Sequence, residues 1–333
     1  MELNKNLFRG IKMGKRKNKG LNSKNKKILA GIIGIIIVIL AGVLGFNTPE
    51  IQNLAKQLGI ENVETTNHEV KQNNTDENIN LNIDENLKVY FIDVGQADSI
   101  LVSNKEHNML IDAGNNEDGE MVVNFVKNKG IKKLDYLIGT HPHEDHIGGL
   151  DDVINSDIKI ENILMPKMQT NTKTFEDVLN AIKNKGLKVT APKKGDKLTL
   201  GDANIKIMTD SIINKDNINL SSITLQLQYG NNTFLFMGDA EKENEDTIEW
   251  KNVDLLKVGH HGSKTSSSTK FLSQTRPKIS IIMVEEGNSY GLPKQEILER
   301  LEKIGSTIYR TDKNGTITVI SNGQKITVDT EKE

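Results

Sequence analysis

The 333-residue sequence contains no cysteine, a single tryptophan and only 4% aromatic residues. Without cysteine, neither a disulfide framework nor a thiolate metal site can form, so any metal ion would be bound by His, Asp or Glu. The scarcity of aromatic residues indicates a core built mainly from Ile, Leu and Val. The length leaves room for one large domain and accessory segments.

The charged residues are also distributed unevenly along the chain. Residues 1–27 carry ten Lys or Arg and a single acidic residue, so this segment has a charge of +9. Because the whole chain has a net charge of −2, the remainder carries −11. An acidic remainder should repel a polyanion such as DNA unless a local basic strip compensates.

Residues 28–46 form a run of nineteen residues without a charged side chain. As a helix this run would be about 28 Å long, close to the thickness of the bilayer hydrocarbon core. It is longer than the apolar core of a signal peptide, so we predict an uncleaved anchor rather than a cleaved leader. The basic segment 1–27 should remain in the cytoplasm. The sequence therefore predicts a single-pass protein of the cell membrane, with everything after residue 46 outside the cell.

Two further regions follow the predicted anchor. Residues 47–86 are polar and rich in Asn, Asp and Glu, and we interpret them as a spacer. In residues 87–333, β-type apolar runs alternate with segments of helical periodicity, such as 175–185, which Thr174 is predicted to cap. Another helix is predicted over residues 293–304. This order predicts an α/β sandwich of two sheets with helices outside.

The most informative segment is a predicted strand, residues 134–139, followed by a loop that carries three imidazoles and a carboxylate. His141, His143, Asp145 and His146 lie within six residues of one another. Imidazole and carboxylate groups are the ligands that zinc accepts when thiolates are absent. Because successive loop residues can face opposite sides, His141 and His143 could serve one metal ion while Asp145 and His146 serve another. The alternative is a solvated polar loop with histidines gathered by chance.

Two later predicted strands also end in potential ligands. Residues 233–237 lead to Asp239, and residues 254–258 lead to the pair His260 and His261. Taken alone, each could be a turn or surface residue. Three strand ends of the same pattern nevertheless predict that these side chains converge at one edge of the sheets.

The spacing His141-x-His143-x-Asp145-His146 resembles the signature of the metallo-β-lactamase superfamily. In addition, residues 91–98, 110–114, 238–240 and 258–263 are similar to runs in the extracytoplasmic hydrolase domain of ComEC-type DNA-internalisation competence proteins. The resemblance covers about residues 87–329. It implies an αββα metallo-β-lactamase sandwich with one or two Zn²⁺ ions, Mn²⁺ being an alternative, at the ends of the inner strands.

The resemblance also implies a division of the ligands between two metal ions. His141 and His143 would bind the first ion, Asp145 and His146 would bind the second, and Asp239 would bridge both. Asp145 and Asp239 are the candidate catalytic residues, because either carboxylate could orient an attacking water molecule.

The remaining ligand is left open by the sequence. One of His260 and His261 would complete the second site, and the position directly after Gly259 slightly favours His260. Asp112 matches the early structural aspartate of the superfamily and would support the ligand loop without touching the metal.

The sequence departs from the superfamily at two places. No histidine occurs between Ile147 and Gly259, where a third ligand of the first ion is normally supplied. Residues 217–224 contain Asn and Ser instead, as competence-type domains do, so a single zinc ion at the second site is an alternative. Leu292 stands where competence-type relatives generally have a histidine.

The resemblance implies a phosphodiesterase or nuclease, with DNA as a candidate substrate. One alternative is a phosphoesterase of the cell envelope that acts on phosphorylcholine esters. A second alternative is a degenerate, non-catalytic binding module, which the missing histidine and Leu292 would explain. The chain lacks the many membrane spans of a transporter, so any role in DNA uptake would require a separate channel protein.

Overall fold

The computed structural model describes residues 86–332. The predicted tail, the predicted anchor and all but the last residue of the predicted spacer lie outside this range. Between residues 86 and 332, no helix has both the length and the apolar character needed to cross a bilayer. The anchor at residues 28–46 therefore remains a prediction.

The fifteen strands within residues 86–332 belong to two sheets. The order of the eight-stranded sheet is β15 (Ile326–Thr330), β14 (Ile317–Ser321), β1 (Leu87–Phe91), β2 (Ile100–Asn104), β3 (His107–Ile111), β4 (Lys133–Ile138), β5 (Lys159–Leu164) and β6 (Val189–Thr190). The order of the seven-stranded sheet is β13 (Thr307–Arg310), β12 (Ile279–Ile282), β11 (Leu255–Lys257), β10 (Asn232–Phe236), β9 (Leu225–Tyr229), β8 (Ala203–Ile207) and β7 (Lys197–Leu200).

Short helices connect these strands, and their apolar residues recur every three or four positions. In the described part of the chain they are α1 (Gly119–Asn128), α2 (Glu144–Ile147), α3 (Leu150–Asn155), α4 (Lys173–Asn184), α5 (Lys242–Glu245), α6 (Thr269–Thr275), α7 (Gln295–Lys303) and α8 (Thr311–Asn314). Helices α1, α3 and α4 pack together beside the eight-stranded sheet, while α6 packs on α7. Three single turns of 3₁₀-helix lie at Asn116–Asp118, Ile218–Ser221 and Gly259–Gly262.

The alternation of side chains along β10 shows how the layers are arranged. Phe234 and Phe236 belong to the large core cluster shared with the eight-stranded sheet, and the ring centroid of Phe236 lies 6.3 Å from that of Phe91. Leu235 and Met237 point to the opposite face and pack in a second cluster with residues of α6 and α7. Because successive side chains of a strand face opposite sides, the sheet is buried on both faces. The prediction of two sheets with helices outside is confirmed.

Strand direction brings several loops to the same edge of the sandwich. β3, β4 and β5 run parallel in one sheet, and β10, β11 and β12 run parallel in the other. The carboxyl ends of parallel strands lie on one side of a sheet, where the following loops form binding sites. The segments after β3, β4, β10 and β11 carry all of the predicted ligands.

Two predicted helix boundaries are wrong. Helix α4 is capped by Thr172, whose hydroxyl oxygen accepts a hydrogen bond from the backbone N–H of Phe175. Thr174 lies inside the helix, and its hydroxyl donates to the side-chain oxygen of Asn116. The last long helix begins at Gln295, not at residue 293, because Lys294 still has extended backbone angles.

Candidate metal centre

Asp112 fixes the ligand loop at the end of β4. Its carboxylate accepts hydrogen bonds of 2.7 Å from both the backbone N–H and the hydroxyl of Thr140. The second carboxylate oxygen also lies 2.8 Å from Nδ1 of His146. Since an ionised carboxylate only accepts hydrogen bonds, Nδ1 carries the proton and Nε2 of His146 is free to face the site. Burial raises the pKa of Asp112, although the neighbouring His146 partly opposes this effect.

Four side chains converge at the edge of the two sheets. One ligand atom of each of Asp145, His146, Asp239 and His261 lies within 4.8 Å of the corresponding atoms of the others. Nε2 of His146 is 3.3 Å from Oδ1 of Asp239, and Nε2 of His261 is 3.3 Å from Oδ2 of Asp145. We call these four residues the second site, in keeping with the assignment expected from the sequence.

The second site fits a divalent cation. Nε2 of His146, Nε2 of His261 and Oδ1 of Asp239 are all buried and have no hydrogen-bond partner in the described part of the chain. An unpaired buried polar atom costs about 1–3 kcal/mol, so three of them facing one another require an explanation. Two imidazoles and two carboxylates form a donor set that zinc accepts.

The histidine that lies in this cluster is His261 and not His260. Both residues have left-handed backbone angles, with φ of 50° and 49°, in the turn Gly259–Gly262. The turn directs the two neighbouring rings to different surroundings. His261 is buried, and its Nδ1 lies 2.9 Å from the carbonyl oxygen of Met283, which leaves Nε2 for the second site. The position after Gly259 slightly favoured His260 as this ligand, but the structure places the ring of His261 in the cluster.

His141 and His143 lie close to each other, and His141 also approaches Asp239. Nε2 of His141 is 3.0 Å from Nδ1 of His143 and 4.0 Å from Oδ2 of Asp239. Burial, together with the nearby charge of His146, holds the pKa of His141 well below its ordinary value. Burial also lowers the pKa of His143. Both rings are therefore neutral at physiological pH, as a metal ligand must be.

The charges within the second site are strongly coupled. Burial alone would lower the pKa of His146, but the carboxylates of Asp239, Asp145 and Asp112 raise it well above its ordinary value. Burial would raise the pKa of Asp239, yet His146 and His261 hold it well below its ordinary range. Without a metal ion, a protonated imidazole therefore neutralises part of the carboxylate charge.

His260 has its own set of partners. Nδ1 of His260 lies 3.2 Å from Oε1 of Glu241 and 3.1 Å from the hydroxyl of Thr265. Burial would raise the pKa of Glu241, but hydrogen bonds from His260 and Asn217 lower it to about 2. Glu241 follows Asp239 by two residues and was not identified from the sequence.

A buried ion pair lies beside the second site and was also missed. Nζ of Lys257 is 2.6 Å from Oδ2 of Asp98, and neither side chain is more than 1% exposed. Oδ1 of Asp98 lies 3.5 Å from Nδ1 of His261. The sequence did contain an indication of this ion pair, since a lysine ends an apolar strand just before the histidine pair. Fully buried lysines are rare unless they are paired, so a lysine at this position predicts a buried acidic partner.

The site opens into a solvent-accessible cavity of about 780 Å³. His143, Asp145, Asp239, His260 and His261 form part of its lining. The lining also includes five further acidic residues, which are Asp93, Glu117, Asp118, Glu144 and Glu285. Neither Lys nor Arg is found among the cavity residues within the described range. The half-buried side chain of Leu292 lines the cavity as well, where it offers no group for proton transfer.

Comparisons with known proteins agree with this architecture. The family model of the metallo-beta-lactamase superfamily matches residues 92–284. The chain is 34% identical to ComE operon protein 3 of Bacillus subtilis over 252 residues, which cover 69% of this chain and 32% of that protein. It is 28% identical to Recombination protein 2 of Haemophilus influenzae, covering 68% of this chain and 28% of the relative. It is 25% identical to Competence protein ComA of Neisseria gonorrhoeae, covering 68% of this chain and 31% of the relative.

The chain thus spans about a third of the length of these curated relatives. The resemblance to ComEC-type competence proteins is confirmed by the three matches. With a family match over residues 92–284 and two sheets whose strand ends gather the histidines and aspartates of the motif, the chain belongs to the metallo-β-lactamase superfamily.

Proposed function

We propose that this protein is a metal-dependent hydrolase of phosphoester bonds, anchored in the cell membrane with its catalytic domain outside the cell. The observation that carries the proposal is the convergence of Asp145, His146, Asp239 and His261 beside an open cavity. Zn²⁺ is the expected ion because these residues supply two imidazoles and two carboxylates, and Mn²⁺ is the alternative.

The division of labour among the residues follows from their surroundings. A divalent cation held there would act as a Lewis acid that lowers the pKa of water and offsets charge on a phosphate group. The side chain of Asp145 is 33% exposed and lines the cavity, so it can orient a water molecule. The Asp239 side chain is only 2% exposed, which suits it to holding the cation.

Similarity to the competence proteins supports a phosphodiesterase or nuclease as the specific activity. DNA is then the candidate substrate. A separate channel protein is the proposed partner for any role in DNA uptake. The acidic walls of the cavity oppose the close approach of a long polyanion.

These walls favour a second candidate, a phosphorylcholine-type esterase of the cell envelope. Of the five acidic residues on the walls, only Asp93 forms an ion pair with a cation among residues 86–332, namely Lys332 at 3.3 Å. Tyr290 also lines the cavity and is 67% exposed. A small substrate with a cationic group beside its phosphate would be attracted both to these carboxylates and to the aromatic ring.

The proposal is tested with the purified full-length protein, loaded with Zn²⁺ or Mn²⁺, and with its His146→Ala and Asp239→Ala variants. His107→Ala is the matched control, because this exposed histidine lies at the start of β3 and not in the cavity. The substrates are single-stranded DNA, bis-p-nitrophenyl phosphate and p-nitrophenylphosphorylcholine. We expect turnover by the wild type and the control, and its loss in both site variants.

The alternatives predict different results. Equal residual turnover in all four proteins would indicate contamination and refute the hydrolase proposal. A wild type that binds metal but cleaves none of the substrates would indicate a non-catalytic binding module. Cleavage of the phosphorylcholine ester without cleavage of DNA would select the second candidate. The proposed location is tested separately by adding protease to intact cells, which should degrade the domain only if it lies outside.

A further inference from the structure

We infer that His260 takes the place of the missing histidine and completes a separate cation site with His141, His143 and Asp239. We call these four residues the first site. The inference rests on the proposed metal-dependent function, which requires only the second site. It adds a second cation and names the ligand that would hold it.

The two oxygens of the Asp239 carboxylate face different sets of imidazoles. Oδ1 lies 3.3 Å from Nε2 of His146 and 3.7 Å from Nε2 of His261, both in the second site. Oδ2 lies 3.6 Å from Nε2 of His260 and 4.0 Å from Nε2 of His141. The two oxygens of one carboxylate thus have different imidazole neighbours.

The third nitrogen of the first site comes from His143. Its Nδ1 lies 3.0 Å from Nε2 of His141. Imidazole nitrogens of this kind, together with the Asp239 oxygen that lies near His141 and His260, form a donor set that zinc accepts.

The ring of His260 is oriented for such a role. Glu241 and Thr265 both contact its Nδ1, at 3.2 and 3.1 Å, so the proton resides there and Nε2 keeps a free lone pair. A histidine held by a carboxylate through one ring nitrogen, with the other nitrogen facing the metal, is a common arrangement in metal sites.

The amide of Asn219 also lies close to this ring. Its amide nitrogen lies 3.4 Å from Nδ1 and 3.3 Å from Nε2 of His260. A donor in the plane of the ring could approach only one of these nitrogens, so Asn219 lies against the face of the ring. The lone pair of Nε2, which lies in the ring plane, is therefore not blocked by Asn219.

The segment that lacks the expected histidine supports this substitution. The amide of Asn217 donates to Oε2 of Glu241 at 2.8 Å, and the amide of Asn219 donates to Oε1 at 3.3 Å. These two asparagines therefore hold the carboxylate that orients His260. The segment in which the superfamily normally supplies a histidine ligand thus supplies two asparagines here, and these asparagines help to position His260.

The left-handed turn Gly259–Gly262 explains how one dipeptide can serve two sites. Its backbone directs His261 into the buried second site and leaves the His260 side chain 25% exposed beside Oδ2 of Asp239. A pair of cations on either side of one carboxylate would suit a phosphodiester, because such a pair can stabilise both the attacking and the leaving oxygen.

The test is a measurement of metal stoichiometry on the full-length protein. The protein is stripped with chelator, dialysed against Zn²⁺, and its bound metal is measured by mass spectrometry. We expect two ions per chain for the wild type and for His107→Ala. We expect one ion for His260→Ala, one for His261→Ala, and none for the double variant. The absorbance of bound Co²⁺ should change in a different way for each single variant.

Glu241→Gln provides a second measurement that does not depend on removing a ligand. Glutamine keeps the shape of the side chain but loses the charge that favours the Nδ1 proton of His260. Loss of such a supporting group typically weakens metal binding by about 10–100-fold. We expect this loss at one of the two ions only, with the stoichiometry at saturation unchanged.

A wild type that binds a single ion would overturn the inference, and so would a His260→Ala variant that binds two ions with unchanged affinities. These failures are distinct from failure of the proposed function. A one-ion protein with full turnover would refute the first site and leave the hydrolase. A two-ion protein that hydrolyses no substrate would support the first site and refute the proposed hydrolase function.

Discussion

Replacing Lys257 by methionine should destabilise the domain strongly. The lysine side chain is fully buried, and its Nζ contacts Oδ2 of Asp98 at 2.6 Å and donates to the carbonyl oxygen of Val258 at 2.9 Å. Methionine has a similar length and apolar character, so packing is retained while the charge is removed. Asp98 would then lose its lysine partner while it lies close to the carboxylate of Asp112, and the imidazoles of His261 and His146, at 3.5 and 4.0 Å, would be left near it.

Removal of one partner from a buried ion pair costs about 3–5 kcal/mol. This is a large share of the total stability of a domain, which is typically about 5–15 kcal/mol. If unfolding has an m-value near 3 kcal/mol per molar urea, the midpoint should fall by about 1–2 M. The double variant Lys257→Met with Asp98→Asn should regain most of the loss, because no unpaired charge is left.

The single tryptophan provides the assay. Trp250 is 6% exposed and packs edge-to-face on Phe271, with ring centroids 5.0 Å apart, so its emission should change on unfolding. Urea titrations in excess chelator would exclude any contribution from bound metal. A Lys257→Met variant within about 1 kcal/mol of the wild type would refute the reasoning. So would a double variant whose loss equals the sum of the two single losses.

Two further outcomes follow from the site. Binding of Zn²⁺ at pH 7 should release at least one proton per chain, because the surrounding carboxylates raise the pKa of His146 and keep its ring protonated in the metal-free protein. The affinity should therefore increase with pH, and calorimetric heats that do not depend on the ionisation enthalpy of the buffer would contradict this. Leu292→His should raise phosphodiester turnover by about 10²-fold, the low end of the effect of a positioned general acid, because this side chain lines the cavity. Unchanged turnover at wild-type metal content would show that an imidazole at this position does not reach the reacting group.

Much of the architecture follows from short-range patterns in the sequence. Apolar strands followed by a charged or imidazole side chain identified the ends of β4, β10 and β11, and parallel pairing gathers these ends at one edge. Neither β6 nor β7 was predicted. β6 contains only Val189 and Thr190, both exposed, so it has no alternation of buried and exposed residues that a pattern could reveal.

The details of the site depend on features that a linear pattern does not report. The choice between His260 and His261 is made by two consecutive left-handed residues, a conformation that the identities of non-glycine residues rarely reveal. The partners of Lys257 and of His260 come from distant segments of the chain, so their pairing appears only in the folded domain. The missing histidine was visible in the sequence, but the means of replacing it was not.

The position of β1 between β2 and β14 has a consequence for how the domain forms. β1 obtains one neighbour from the strand that follows it, but its other neighbour, β14, is synthesised much later. Just beyond β1, the backbone N–H of Asp93 donates to the hydroxyl of Thr316 across 223 residues of the chain. Contacts of such long range make folding slow. Until β14 arrives, one side of β1 is an unpaired edge that other chains can join, so aggregation competes with folding during this interval.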